Sequence, residues 1–256
     1  MLGETSEPGE IRQMLAAVSR FGRRRTLYPH RTLSMAKKDA QAVAELLPLR
    51  KSQSELPLPE SDELLVLSLR ARHPDAGTQL FDRYAPHVRR VLVRVMGPDA
   101  EILDLVHDVF VTALESVNRL IDPKALRAWL TQIAVFTARA RIRRRVRGRI
   151  LRFLPFSELP EQELPPADFE ASEAMQAVYR VLNSLDTDQR IAFALRFVAG
   201  MELTEVAASC GVSLATIKRR LARAQVSFAG LAEKEPALTE WLKLGGVGAG
   251  AQGELS

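Results

Sequence analysis

The sequence predicts an all-α protein: two small helical domains joined by an extended linker. Three observations carry this expectation. Apolar residues recur at three- and four-residue steps through 61–138 and again through 171–231. No run alternates with period two for long enough to argue a sheet. Between the two periodic stretches, residues 153–172 hold four prolines (155, 160, 165 and 166) and five acids, a composition that stays extended and self-repelling.

Residues 1–60 mix Gly, Pro, Ser and charge and predict a weakly structured extension whose one helical stretch is Asp39–Leu47. Met35, before Ala-Lys-Lys-Asp, is a candidate start that N-terminal sequencing would test. A first domain is expected over 61–152. Ser61 is placed to cap a helix with Leu64, Leu65 and Leu67 on its apolar side. Asp75 opens a second helix carrying Leu80, Phe81, Tyr84, Val88, Val91, Leu92 and Val95, with Pro86 predicting a kink and Gly97-Pro98 an end. Asp99 caps a third, with Ile102, Leu105, Val106, Val109, Phe110, Ala113, Leu114 and Val117 on one stripe. A loop at 118–123 leads to a fourth, built on Leu126, Trp129, Leu130, Ile133, Ala134 and Thr137. Beyond the linker, 173–232 forms the second domain. Its first helix places Ala174, Val178, Val181, Leu182 and Leu185 in register; Asp186-Thr187-Asp188-Gln189 then reads as a capping box for a helix ending at Gly200. Helices over Leu203–Ser209 and Ser213–Leu231 follow, and the Gly-rich 233–256 reads as a flexible tail.

Composition narrows the function. With 46% hydrophobic and 26% charged residues the chain reads as a soluble globular protein. Net charge is only +5, yet Arg139–Arg152 carries eight arginines and no acid, while 153–173 carries six acids and no base. That asymmetry points one part of the chain at a polyanion. Cys210 is the sole cysteine and the four histidines are scattered, so neither a disulfide nor a metal centre is expected, and no cofactor. No apolar run approaches the ~20 residues that cross a bilayer. Arg23-Arg24-Arg25-Thr26-Leu27 is followed by no hydrophobic segment and reads as a basic tail rather than a twin-arginine signal. A cytoplasmic location is expected.

The strongest local signal lies in 203–222. A helix-turn-helix needs a small residue where its helices touch, a glycine at the turn and a branched apolar residue beneath the second helix. Ala207, Gly211 and Ile217 stand at those spacings, with Val206, Cys210, Val212 and Leu221 completing the apolar underside. Ser213 caps the second helix, whose outer positions are Thr216, Lys218, Arg219, Arg220 and Arg223. A basic helix presented N-terminus first suits major-groove entry; arginine reads guanine edges, and both cations pair with phosphate. The plain alternative is a helical hairpin with a solvated basic face.

A second signal is the helix running into the arginine tract, with Arg127, Trp129, Gln132, Arg139, Arg141, Arg143, Arg144 and Arg145. A line of arginines binds duplex with counterion release; an RNA strip, an anionic membrane contact and a merely solvated face are the alternatives. A third is the amphipathic stretch Asp99–Ser116, with Glu101, Asp104, His107, Asp108 and Glu115 on its polar side.

In this order the pieces resemble a known family. Asp104-Leu105-Val106-His107-Asp108-Val109-Phe110 is similar to the acidic helix of sigma-70 region 2, and Leu126-Arg127-Ala128-Trp129-Leu130-Thr131-Gln132-Ile133-Ala134 to the helix after it. Leu185-Asp186-Thr187-Asp188-Gln189-Arg190, Gly200, Ala207, Gly211 and Ser213–Ala224 resemble region 4. The match spans about 62–232 and shows only regions 2 and 4, as in the extracytoplasmic-function group of sigma factors. The resemblance implies that Asp104, His107, Asp108 and Phe110 dock on core RNA polymerase. It implies that Asn118 and Arg119 capture an unstacked −10 base, beside Arg127, Trp129, Gln132, Arg139, Arg143 and Arg144. It further implies that Ser213, Thr216, Lys218, Arg219, Arg220 and Arg223 read the −35 element. The acidic linker would thread the polymerase's nucleic-acid channels, where its charge mimics a polynucleotide. Implied partners are core polymerase, promoter DNA and an anti-sigma factor, with no small-molecule substrate and no stable membrane insertion.

The chain departs from the family pattern in places. His107 stands where glutamine is usual and Glu202 where a Ser or Thr cap is usual; aromatics other than Trp129 and Phe136 are missing from the melting helix. Two rivals remain. One is an operator-binding helix-turn-helix regulator with 61–152 as its sensor; the other is a basic RNA-binding or polymerase-associated adaptor. An enzyme is not expected, since no nucleophile, base and orienting group assemble and no phosphate-cradling glycine loop exists.

Overall fold

Every regular element among the described residues, 61–151 and 169–238 of a computed structural model, is helical, and no strand occurs there. The expected helix at 39–47, most of the linker and the end of the tail lie outside those residues.

The first bundle begins with α1 (Asp62–Arg70), where the Ser61 hydroxyl accepts from Leu64 N–H at 3.3 Å. Acids in its first turn and Arg70 in its last complement the helix dipole. The buried side is Leu65, Val66 and Leu69; Leu64 and Leu67 are more than half exposed. This corrects the expected apolar side: packing against α2 selects the neighbouring stripe, one residue and about 100° further round. Helix α2 (Ala76–Met96) runs through Pro86 without interruption. Pro86 is exposed and so is Asp82, whose carbonyl loses its partner N–H, so water can take that place. Helix α3 (Ile102–Ser116) starts later than expected. Glu101 sits at the N-cap, and Asp99 instead accepts from Glu101 N–H at 3.0 Å. Two short 3₁₀ turns, Val117–Arg119 and Pro123–Ala125, lead into α4 (Leu126–Leu151). Leu80, Val88, Leu92, Val95, Val109, Leu126, Leu130 and Ala134 form the dry centre, each larger side chain contributing about 1.5–3 kcal/mol by burial.

The second unit comprises α5 (Phe169–Ser184), α6 (Thr187–Phe193), α7 (Leu203–Cys210) and α8 (Leu214–Ala232). Asp186 accepts from Asp188 N–H at 2.9 Å to start α6, which continues as a π-helical turn, Ala194–Val198, and stops at Gly200 with φ +71°. Phe193 stacks on Phe228 at 4.4 Å and meets Phe197 at 4.7 Å. Chain beyond α8 still belongs to this core: residues 236–238 form a helical turn and Leu238 is 1% exposed.

The two units are packed together. Ile191, Leu195, Val206, Ala207, Cys210, Ile217 and Leu221 join one buried apolar cluster with the core of the first bundle. Helix α4 meets α6 and α7, and α2 meets the π-helical turn.

Candidate nucleic-acid interface

Helices α7 and α8 form the expected helix-turn-helix. Val206, Ala207, Cys210, Ile217 and Leu221 are all buried, and Val212 packs against the same cluster. Gly211 at the turn has φ +65°, where a side chain would be strained, and a Cβ there would meet the Phe136 ring at 3.1 Å. Ser213 caps α8 by accepting from Thr216 N–H at 3.3 Å. The departure at Glu202 is compensated: the Glu205 carboxylate accepts from Glu202 N–H at 2.9 Å, so α7 starts firmly. Ser213, Lys218, Arg219 and Arg223 are exposed and Thr216 half-buried. Arg220 departs from the expected outward set. It lies on the side of α8 nearest Leu221 and Ala224, where its Nη2 donates to Asp188 Oδ2 at 2.9 Å.

In the loop after α3, Val117 and Leu120 are buried anchors, and an Arg70 guanidinium holds the Leu120 carbonyl. Asn118 and Arg119 are thereby held outward and exposed. Ile121 at the tip is 96% exposed. Helix α4 brings Arg127 to the surface and leaves Trp129 and Gln132 half-buried.

The arginine tract is the larger surprise. Arg141 Nε donates to Glu101 at 2.7 Å, and Arg145 donates to Asp99 at 2.9 Å and also contacts Glu101. Arg139 pairs with Asp188 at 3.1 Å, reaches the Cys210 carbonyl at 3.4 Å and lies over the Phe136 ring, leaving its side chain 12% exposed. Arg143 also pairs with Asp188, at 3.3 Å. Arg144 is exposed with no ion pair among the described residues.

On α3, Asp104 and Asp108 are exposed and His107 is half-buried, flanked by Leu103 and Leu114, each over two-fifths exposed. Leu114 was expected in the core stripe and instead borders this acidic face. Phe110 is in the core, 6% exposed, with its ring 4.9 Å from that of Phe81. A face that touches a partner therefore cannot include Phe110 as it stands; the ring fixes the helix that carries the acids.

Two groups have shifted proton affinities with clear causes. His87 is held down to about 4, first by burial and then by the Arg127, Arg90 and Arg94 charges, and its Nε2 lies 2.8 Å from Thr131 Oγ1. Burial pushes the Cys210 thiol up, as suits a packed core residue. Among the described residues no cluster of three metal donors occurs, and no helix is long and apolar enough to cross a membrane.

Sequence reasoning missed Asp188, Arg190 and Tyr179, all at the junction of the two units, and Ile121. Only Ile121 had a local signal: a large apolar residue outside any helical stripe, just before Asp-Pro.

A helix-turn-helix with an outward basic helix, carried on the same chain as a bundle with a separate acidic face, defines a two-module transcription factor. Family models agree: Sigma-70 region 2 matches residues 80–148, and Sigma-70, region 4 matches 175–225. The chain carries both domains of the sigma-70 family, and the relatives it resembles include extracytoplasmic-function sigma factors. It is 28% identical over 174 residues to the ECF RNA polymerase sigma-E factor of Escherichia coli K12, covering 64% of this chain and 91% of that one. It is 26% identical over 187 residues to RNA polymerase sigma factor CnrH of Cupriavidus metallidurans, covering 69% and 96%. Two solved structures are also similar. One is CnrH in complex with the cytosolic domain of CnrY (TM-score 0.46, 24% identity, 68% of this chain and 98% of that one). The other is the sigma factor RpoE in complex with the anti-sigma factor NepR from Bartonella quintana (TM-score 0.43, 23% identity, 62% and 98%).

Proposed function

We propose that the chain is an alternative sigma factor that binds core RNA polymerase and directs it to promoters through −10 and −35 elements. The observation that carries this is the α7–α8 motif: a glycine turn over a dry underside, presenting Lys218, Arg219 and Arg223 on one exposed face, in one chain with a region 2 bundle. In this reading α8 enters the −35 major groove behind Ser213 and Thr216. The loop holding Asn118, Arg119 and the exposed Ile121 takes one unpaired −10 base. Arg127, Trp129 and Gln132 line its approach, and Arg144 meets the backbone. Asp104, His107 and Asp108 dock on polymerase. The first domain follows the boundary 61–152; the second, expected over 173–232, is widened by the helix from Phe169 and by Leu238, the residues between the two serve as the tether, and the chain performs no bond chemistry of its own. It works in the cytoplasm and is held in check by an anti-sigma factor.

Run-off transcription with core polymerase on a promoter library tests the reading. The wild type should confer a promoter preference. Asp104→Ala with Asp108→Ala should abolish both co-elution with polymerase and that preference, with the melting temperature unchanged. Tight operator-like duplex binding with no polymerase association, unaffected by those changes, would instead favour the regulator reading.

A further inference from the structure

On α2, Arg83, His87, Arg90 and Arg94 follow one another at steps of four, three and four, which is one stripe of a helix. On α4, Arg127 and Thr131 stand one turn apart. The two stripes meet where His87 Nε2 lies 2.8 Å from Thr131 Oγ1. Thr131 donates its own hydrogen to Arg127 O at 2.9 Å, so its oxygen accepts from the imidazole. The His87 hydrogen is therefore on Nε2, and Nδ1 is the nitrogen left to take up a proton.

The cations around this contact differ in what they hold. Arg83 pairs with Asp62 at 3.2 Å, an acid that also accepts from the Tyr84 hydroxyl at 2.6 Å. Arg94 is half-buried and donates to Ala199 O at 3.0 Å. Arg90 and Arg127 are exposed and make no ion pair among the described residues. After burial, the charges that hold His87 to about 4 are those of Arg127, Arg90 and Arg94, all of one sign. An anion placed among such cations relieves their effect on the imidazole, and guanidinium groups bind phosphate through charge-assisted hydrogen bonds. Arg127 stands in the first turn of α4, directly after the loop that holds Asn118 and Arg119 outward.

We infer that Arg90 and Arg127 seat one backbone phosphate of a single DNA strand over the His87–Thr131 contact, and that the strand binds together with a proton on His87. The strand reaches the groove from the 118–123 loop, across Arg127. Its phosphate offsets the Arg90 and Arg127 charges, so Nδ1 accepts a proton that the free chain refuses. Burial still opposes the imidazolium and Arg94 keeps its charge, so the gain is partial. Bound His87 therefore titrates above the free group, and binding strengthens as pH falls through the window between 6.5 and about 4. Above that window both forms are neutral and affinity is flat. Identifying the strand as promoter −10 DNA rests on the sigma-factor reading; the phosphate seat does not.

The test uses the full chain and a short oligothymidylate, whose bases do not titrate between pH 5 and pH 7. Ring resonances of the four histidines, assigned with His87→Gln, follow the His87 midpoint directly. It should move up from about 4 when the oligonucleotide is added. Affinity of the wild type should rise by about two- to fourfold from pH 7 to pH 5, and His87→Gln should flatten that rise. Arg90→Gln with Arg127→Gln, both at exposed positions, should lower the slope of log affinity against log salt by roughly 0.7, the value for one single-strand phosphate. A His87 midpoint that the oligonucleotide leaves in place would overturn the seat, as would an unchanged salt slope in the double variant. So would a midpoint that responds to phosphatidylglycerol vesicles or to duplex and not to the single strand. Run-off without promoter preference, with the midpoint still responding to the oligonucleotide, would reject the sigma reading and leave the seat standing.

Discussion

Helices α4 and α8 are both arginine-rich, and the structure uses their arginines in opposite ways. On α8, Lys218, Arg219 and Arg223 point to solvent, and only Arg220 turns inward, to Asp188. On α4, Arg139, Arg141, Arg143 and Arg145 are all paired with carboxylates 40 or more positions away in the chain. A row of like charge on one helix is thus left facing solvent in one module and largely tied up in ion pairs in the other. The difference lies in what faces the helix: α8 carries its cations on the side away from both modules, whereas α4 runs between the start of α3 and the start of α6, where Asp99, Glu101 and Asp188 converge.

The same inward–outward contrast on α3 gives the largest expected effect. Phe110→Ala removes a core ring and should cost about 3–5 kcal/mol of stability by denaturant titration, with polymerase binding lost as a consequence of unfolding. A stable Phe110→Ala protein that fails only to bind polymerase would return Phe110 to the contact surface. On α8, Arg219→Ala should leave stability alone and relax discrimination at one −35 position by about 1–3 kcal/mol. Lys218→Ala should weaken all sequences alike and flatten the salt dependence of duplex binding. Equal losses on every sequence for both variants would reduce α8 to a nonspecific cation. On α4, Arg145→Met should cost roughly 1–2 kcal/mol of stability, scaled down from a buried pair because the guanidinium is a third exposed. Arg144→Met should leave stability unchanged and weaken promoter binding. If Arg145→Met is neutral in stability, α4 is a reading surface after all.

The all-helical architecture, the turn at Gly211 and the underside of α7–α8 were legible because each rests on short-range spacing: a 3.6-residue period, a positive φ, a capping hydroxyl. The loop at 118–123 was legible for the same reason. What spacing cannot carry is the partner of a charge. Nothing near Arg145 in the chain announces Asp99, and nothing near Arg139 announces Asp188, so eight arginines without an acid between them read as a polyanion site. Phe110 and Leu114 show the finer limit: one stripe of apolar residues was visible, but which edge faces the core depends on the crossing of α2 and α3. Leu64 and Leu67 fail in the same way on α1. The docking of region 4 on the end of α2 left only one trace, the Gly97-Pro98 stop, which says where the helix ends and not what caps it.

The α2–α4 contact beneath the arginines supplies the smallest effect and the most direct check on how crowded with charge that interface is. Burial and the nearby Arg127, Arg90 and Arg94 hold His87 to about 4 in the folded protein, against 6.5 when unperturbed. Between those values the unfolded chain binds the proton and the folded one does not, so stability falls as pH drops from 6.5 towards 4 and levels off below. The ring is only partly buried, so the loss by pH 5 should be roughly 1 kcal/mol after allowing for solvent screening. His87→Gln keeps a hydrogen-bonding group opposite Thr131 and removes the proton. Asp82, whose carboxyl burial raises, contributes in the opposite direction at lower pH but equally to both proteins, so the difference between wild type and variant isolates His87. Denaturant titrations at pH 7 and pH 5 should show wild type losing stability relative to His87→Gln. Parallel losses in the two would mean that water or a shift of α4 relieves the imidazolium, and that the cationic face of α4 is looser against α2 than the 2.8 Å contact implies.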